Sequence, residues 1–338
     1  MNHDNSKNFQ SLLADLQGQT RPEIESADYV VSPELYGAVE AALATGQPLL
    51  LTGEPGTGKT RLAAKLAHDF STSDPNFDST LEVFNTKTTS TAQDLFYTYD
   101  ALRHFNDANI SKTLEEKAPD ARAYIRLEAL GRAIGMTGRQ KLAWQLLQPG
   151  ADKQNGKMST GEPRSKVVLI DEIDKAPRDF TNDILNEIEN MQFEIKELQD
   201  VEPIKKGDQR IVVIMTSNSE KNLPDAFLRR CAFFHIPFPD HDLLFEIVQM
   251  HFPAKSKTAQ KAAIKYFDRL REVATRKKPA TAELISWLHV LEVEKFFENF
   301  KNFEQLNDKQ KSALQYSLSV LVKTKDDLVA VQNFIEKA

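Results

Sequence analysis

Cysteine is almost missing from this chain: one residue, Cys231, in 338. A lone thiol excludes an internal disulfide framework and fits a reducing compartment. No apolar stretch approaches the ~18 residues of a membrane span, so no transmembrane helix is expected. The opening residues, Met1-Asn2-His3-Asp4-Asn5-Ser6-Lys7, lack the apolar segment of a secretory leader. Together these absences predict a cytoplasmic protein without membrane insertion. The histidines His68, His104, His235, His251 and His289 show no metal-ligand spacing and are read as structural or exposed. Basic charge is not in excess either. A formal net charge of −6 argues against a broad nucleic-acid footprint, and no basic stripe with interleaved aromatics is visible.

What the chain does have is length for about two domains and one concentrated glycine motif. The apolar run Pro48-Leu49-Leu50-Leu51-Thr52 feeds into Gly53-Glu54-Pro55-Gly56-Thr57-Gly58-Lys59-Thr60, and a helical pattern from Arg61 to Phe70 leaves it. Gly53, Gly56 and Gly58 let the backbone fold tightly enough to aim successive N–H groups inward. The following helix directs its positive dipole end at the same spot. Such a nest suits a polyphosphate. Lys59 would reach the β- and γ-phosphates as a point charge, and the Thr60 hydroxyl would take one position on Mg²⁺. Pro55, Thr57 and Arg61 belong with these as candidate nucleotide-binding residues. The spacing G-x-x-x-x-G-K-T is specific only between a strand and a helix, and both patterns are present.

Val167-Val168-Leu169-Ile170 is a continuous apolar run of the buried parallel-strand kind, and it delivers Asp171-Glu172 at its carboxyl end. Ligands sit at such ends in open α/β sheets. Asp171 would bind Mg²⁺, while Glu172 would polarise the water that attacks the γ-phosphate. The bland alternative is a surface acidic pair capping a strand. A third run, Ile211-Val212-Val213-Ile214-Met215, ends in Thr216-Ser217-Asn218. Asn218 would hydrogen-bond the γ-phosphate or orient the water, or else simply make a turn. Leu223-Pro224-Asp225-Ala226-Phe227-Leu228-Arg229-Arg230-Cys231 reads as a short helix that opens after proline and ends in paired arginines. Those arginines either complement the helix dipole or reach a γ-phosphate held by a neighbouring subunit.

In this order the motifs resemble those of an AAA+ ATPase. The wording of Gln47 through Thr60 and of Leu169-Ile170-Asp171-Glu172-Ile173-Asp174-Lys175-Ala176-Pro177 is similar to the MoxR family. The resemblance runs from about Tyr29 to Pro239 and continues more weakly into the C-terminal helices. It implies an α/β fold, an AAA+ P-loop parallel sheet core flanked by helices and followed by a small all-helical lid domain. It also implies Walker A at Gly53 to Thr60, Walker B at Val167 to Glu172 and sensor 1 at Asn218. Arg-Arg-Cys is similar to the Ser-Arg-Cys of clamp loaders, which implies an arginine finger at Arg230 with Arg229 beside it. In the family the entry segment holding Val30 and Val31 borders the adenine. The pattern departs at sensor 2, where Lys278-Pro279-Ala280-Thr281-Ala282-Glu283-Leu284-Ile285 opens a helix without an arginine, and no residue is assigned that role. The resemblance implies ATP and Mg²⁺ as ligands and a homo-oligomeric ring, by likeness a hexamer. It further implies a protein client, accompanied by a von Willebrand A domain on another polypeptide.

The domain plan that follows has a polar segment at 1–28, the ATPase core at 29–237 with insertions near 86–118, 136–165 and 191–210, and the helical lid at 238–338. Phe9, Leu12, Leu13 and Leu16 form a short amphipathic pattern in the first segment. Phe96, Tyr97 and Tyr99 crowd three aromatics into four positions; they belong either to a hairpin facing a pore or client, or to a cluster packed on the body. Pro119 is expected to open a helix through Leu127 and Leu130 that Gly131 to Gly135 ends. The polar stretch 148–165 reads as a mobile loop that orders on partner binding. Phe193-Glu194-Ile195 and the turn-rich residues before Asp208 suggest a hairpin or an irregular excursion, with Lys205-Lys206 at a solvated tip or against a client. The leading reading is a ring ATPase that remodels or activates a partner protein. The alternatives are a nucleotide-gated oligomeric scaffold with slow hydrolysis, and a nucleic-acid-acting ring NTPase.

Overall fold

Ser32 starts the first helix: its hydroxyl accepts the Leu35 N–H at 3.2 Å, Pro33 takes the first helical position, and Gly46 ends the helix at φ +67°. The computed structural model describes residues 29–115, 117–148, 161–219, 223–253 and 256–337. The amphipathic pattern at Phe9 to Leu16 and stretch 149–160 of the polar loop lie outside these residues.

In chain order the first part contains α1 (Pro33–Thr45), β1 (Leu49–Gly53), α2 (Lys59–Ser73) and β2 (Glu82–Asn85). Next come β3 (Tyr97–Tyr99), α3 (Ala101–Thr113), β4 (Ile125–Leu127), α4 (Ala129–Met136) and α5 (Lys141–Leu147). They are followed by β5 (Lys166–Asp171), α6 (Arg178–Asn190), β6 (Gln192–Phe193), β7 (Ile204–Lys205), β8 (Ile211–Thr216), α7 (Asp225–Leu228) and β9 (Ala232–Ile236). Five of these strands form one parallel sheet in the order β2-β5-β8-β1-β9. Leu49, Leu51, Val167, Leu169 and Ile214 face α1 and α2 through Leu35, Val39, Leu62 and Leu66. Leu50, Val168, Ile170, Val213 and Met215 fill the other face with Ile134, Ile184 and Leu185. Burial on both faces is why these strands read as unbroken apolar runs rather than alternating ones. Because every strand runs the same way, the sheet gathers all five carboxyl ends on one edge.

Between β2 and β5 the structure differs from the sequence expectation. Pro119 does not open a long helix. A 3₁₀ turn at Ala121–Tyr124 leads into β4, which pairs antiparallel with β3, and α4 begins only at Ala129. Gly131 and Gly135 lie inside α4 rather than at its end. The reason is a close approach: a Cβ on Gly131 would sit 1.9 Å from the Phe96 carbonyl oxygen, so only glycine lets the helix reach that backbone. The aromatic trio splits as well. Phe96 and Tyr97 are buried and stack on Phe193, with ring centroids 5.0 and 6.2 Å apart, so they pack on the body. Tyr99 instead bonds His104 of α3 at 2.5 Å. Phe193 pairs antiparallel with Ile204, which makes the short hairpin β6–β7 and leaves Lys205 and Lys206 exposed.

Chain contacts divide the described residues into two units, Tyr29–Pro237 and the residues from Phe238 onward. The second unit is helical: α8 (His241–His251), α9 (Lys257–Val273), α10 (Thr281–Val293), α11 (Asp308–Leu321) and α12 (Lys325–Lys337). Its core centres on Trp287, fully buried, whose indole N–H donates to Ser317 Oγ at 2.8 Å. Among the described residues no helix is long and apolar enough to cross a membrane.

Candidate functional site

The turn after β1 requires its glycines. Gly53, Gly56 and Gly58 adopt φ of +146°, +82° and +87°. A Cβ on Gly53 would meet the Ile236 carbonyl oxygen at 2.6 Å, and one on Gly58 the Tyr29 ring at 2.7 Å. Thr57 closes the loop by donating its hydroxyl to the Glu54 carbonyl at 2.9 Å. Gly58 leads directly into the N-terminus of α2, with no side-chain cap on its first turn. The first-turn N–H groups therefore face the loop, as an anion-binding helix start needs. Pro55, Gly56 and Arg61 are exposed at the loop and in the first turn of α2.

Lys59 is the hub. Its ammonium donates to the Gly53 and Glu54 carbonyls at 2.8 and 3.0 Å and to Asn218 Oδ1 at 3.0 Å. Burial pulls its pKa below the usual lysine value, and the nearby carboxylates of Asp171, Asp174 and Glu172 push back. The parallel sheet thus brings Lys59, Asp171, Glu172 and Asn218 to one edge although they are up to 159 residues apart in sequence. Thr60 Oγ1 lies 3.3 Å from both oxygens of Asp171. One hydroxyl and one carboxylate are oxygen donors that would suit Mg²⁺ if the remaining positions went to water and phosphate oxygens, and a bound Mg²⁺ would neutralise charge on those oxygens.

Thr216 escaped the sequence reading as a site residue. Its hydroxyl donates to Asp171 Oδ1 at 2.5 Å and accepts the Glu172 N–H at 2.9 Å, so it fixes both acids at once. The signal was its place as the last strand residue before Ser217-Asn218. Glu172 itself sits in the left-handed region at φ +55°, ψ +50°, and its carboxylate pairs with Lys175 of the next turn. That hydrogen bond is the main cause raising the Lys175 pKa. Asp174 accepts the Asn218 N–H at 3.3 Å and so ties the end of β8 to the turn after β5.

Of Tyr29, Val30 and Val31, the first lies against the loop. Tyr29 abuts Gly58 and burial pushes its phenol up to about 12. Val31 packs with Tyr29 on the core face shared with α1 and α2, and Val30 is half-buried.

Arg229 and Arg230 are not part of this cluster. The Ala232 N–H bonds the Pro48 carbonyl at 2.9 Å, which places the end of α7 beside the start of β1, at the opposite edge of the sheet. Arg230 is exposed, donates to Asn186 at 3.3 Å and lies 3.7 Å from Glu189. Together with Arg229, Lys206 and Arg210 it borders a cavity of about 580 Å³ along that edge. From Leu49 to Gly53, β1 spans about 13 Å at ~3.3 Å per residue, more than an arginine side chain covers. Arg230 therefore does not reach the phosphate loop of its own chain. The neighbouring Cys231 is buried, and burial pushes its thiol up to about 12.

The protein family described as "AAA domain (dynein-related subfamily)" matches residues 48–231, more than half of the chain. No curated protein matches the sequence. Among solved structures, a RuvB mutant from Thermotoga maritima is similar at 17% identity, with 91% of this chain and 76% of that chain covered and a TM-score of 0.45. The FIGL-1 AAA domain in complex with ADP is similar at 14% identity, covering 100% and 98%, with a TM-score of 0.41. NtrX from Brucella abortus in complex with ATP is similar at 16% identity, covering 97% and 64%, with a TM-score of 0.42.

Proposed function

The chain belongs to the dynein-related subfamily of AAA domains and is an ATP hydrolase, and from this premise we propose a ring-forming, MoxR-like ATPase that remodels or activates a partner protein. The partner system would include a von Willebrand A domain protein. The observation that carries the proposal is the separation along β1: the phosphate loop opens at its carboxyl end, and the exposed Arg230 stands beside its amino end. A side chain so placed serves a nucleotide only on the next subunit.

In this reading Lys59 exchanges its carbonyl partners for the β- and γ-phosphates, and the first-turn N–H groups of α2 hold the phosphate chain. Thr60 and Asp171 would hold Mg²⁺. Glu172 orients and deprotonates the attacking water, held in register by Thr216. Asn218, already bonded to Lys59, carries the state of the phosphate to β8. Arg230 from the neighbour stabilises charge on the transferring phosphoryl, an effect worth roughly 10³- to 10⁵-fold in nucleotide hydrolases. Val30, Val31 and Tyr29 border the base.

The test is ATP turnover against protein concentration for wild type, Glu172→Gln and Arg230→Ala, with mass read by light scattering in ATP and in ADP. Specific activity should rise steeply with the assembled species and vanish in both variants. Full turnover by monomeric protein would sink the shared-site reading, and stimulation by a client would separate a remodelling motor from a scaffold.

A further inference from the structure

The cavity of about 580 Å³ at the amino edge of the sheet is of ligand-site size, and its wall is unevenly charged. Lys206, Arg210, Arg229 and Arg230 line it, against a single carboxylate, Glu189, among the described lining residues. The chain as a whole is acidic, with a formal net charge of −6, so four cations round one cavity run against its composition.

Bonds within the chain leave most of that charge unanswered. Arg210 and Arg229 make no side-chain hydrogen bond or ion pair with the described residues. Lys206 donates to the Gly207 carbonyl at 3.1 Å and pairs with no carboxylate among them. Arg230 lies 3.7 Å from Glu189, but both side chains are about half exposed, and such a pair binds weakly. Helix ends answer a further part. Thr45 ends α1 and Met191 follows α6, both in the wall, and each carboxyl end carries about −0.5 of a charge. With Glu189 these ends offset about two of the four positive charges, and about two remain. The wall also includes Leu43, Pro48, Ile188 and Ile211, whose side chains offer the cations no competing acceptor.

The occupant that suits this wall is compact, carries at least two negative charges and presents several oxygens. Guanidinium groups take phosphate oxygens in pairs. Gathered round one cavity rather than strung in a stripe, the cations fit a short chain of phosphates better than a nucleic-acid backbone. We propose that this cavity is a polyphosphate site in which Arg210, Arg229 and Lys206 act beside Arg230, holding either the phosphate tail of a nucleotide carried by an adjoining copy or a free polyphosphate. The first source rests on the shared-site reading above; the second does not.

The experiment has two arms. In the first, inorganic tripolyphosphate is titrated into the intact, nucleotide-free protein while backbone amide resonances and mass by light scattering are followed. Shifts at 53–61 report the phosphate loop, and shifts at 45–48, 189–191, 206–213 and 228–231 report the cavity. Saturable cavity shifts in single chains, weakened about tenfold or more in Arg210→Ala and in Arg229→Ala with the loop shifts unchanged, would identify a free polyphosphate; tenfold is the scale of one charge-assisted hydrogen bond. In the second arm, turnover at saturating ATP is measured on assembled protein. A fall of about tenfold or more in either variant, with ATP still filling the loop, would identify the adjoining copy's nucleotide. Cavity shifts that are absent or equal in both variants, together with unchanged turnover, would overturn the proposal. Should wild type never assemble in ATP, the shared-site reading fails and the first arm alone decides. Both arginines are exposed and bond nothing among the described residues, so two independent variants test the site even if one misfolds.

Discussion

Two inactive chains should make an active mixture. In the proposed shared site, Glu172→Gln removes the residue that acts on the chain's own nucleotide, and Arg230→Ala removes the group that acts on the neighbour's. Because Arg230 stands at the amino edge of the sheet and the phosphate loop at the carboxyl edge, each lesion would silence a different half of that proposed site. Each variant alone should lose about 10³-fold or more in turnover. In a random equal mixture a site works when its nucleotide-holding chain keeps Glu172 and the adjoining chain keeps Arg230. Each condition is met half the time, so about a quarter of wild-type activity should return. The assay is steady-state ATP hydrolysis on co-expressed chains carrying distinct tags and purified through both. Mixed assemblies that form, as shown by light scattering, yet hydrolyse no faster than the separate variants would refute the reasoning. So would an Arg230→Ala chain that keeps full activity alone.

Other outcomes follow from the packing. Thr216→Val preserves shape but removes the hydroxyl that fixes Asp171 and the Glu172 N–H; turnover should fall about 10- to 100-fold, with the Mg²⁺ midpoint raised in a metal titration. Helix propensity alone says Gly131→Ala would stabilise by about 1 kcal/mol, whereas the 1.9 Å approach to the Phe96 carbonyl predicts net destabilisation in urea unfolding, by about 3 kcal/mol; a gain in stability would contradict the close approach. Asp327 accepts the N–H groups of Arg276 and Lys277 and the Thr324 hydroxyl at 3.0, 2.9 and 2.7 Å. Burial pushes its carboxyl up, but these bonds outweigh it and hold the pKa below 3.8. Its stabilisation is therefore present above that value and lost as pH falls through the lower folded pKa. Wild type should out-melt Asp327→Asn near neutral pH, and the gap should close below about pH 4.

The sheet and its loop were legible because their signals are local. Leu49 to Thr52 and Val167 to Ile170 are apolar at every position, since both sheet faces are covered, and the phosphate loop declares itself by glycines that the backbone needs at positive φ. The stretch from Pro119 to Gly135 was not legible for the opposite reason. Nothing near Gly131 in sequence says that Phe96 will lie against it, so the glycine reads as a stop when it is a contact. Likewise β4 is three residues long and exists because β3 pairs with it. Thr216 shows the same limit at the site. A threonine ending a strand is ordinary until the neighbouring strand supplies Asp171 and Glu172 as its partners.

If the paired arginines serve a neighbour's nucleotide as proposed, their placement at the opposite end of β1 from the phosphate loop also constrains the assembly. A two-fold pair would complete both sites only if each arginine edge lay on the other copy's loop edge, and such a pair would be closed. A head-to-tail contact between unlike edges instead leaves, with every added copy, one carboxyl edge and one amino edge open until rotation brings them together. A pair joined head to tail would thus be an unfinished object with a direction, and a small error in the angle between neighbours would yield a helical filament instead of a closed circle.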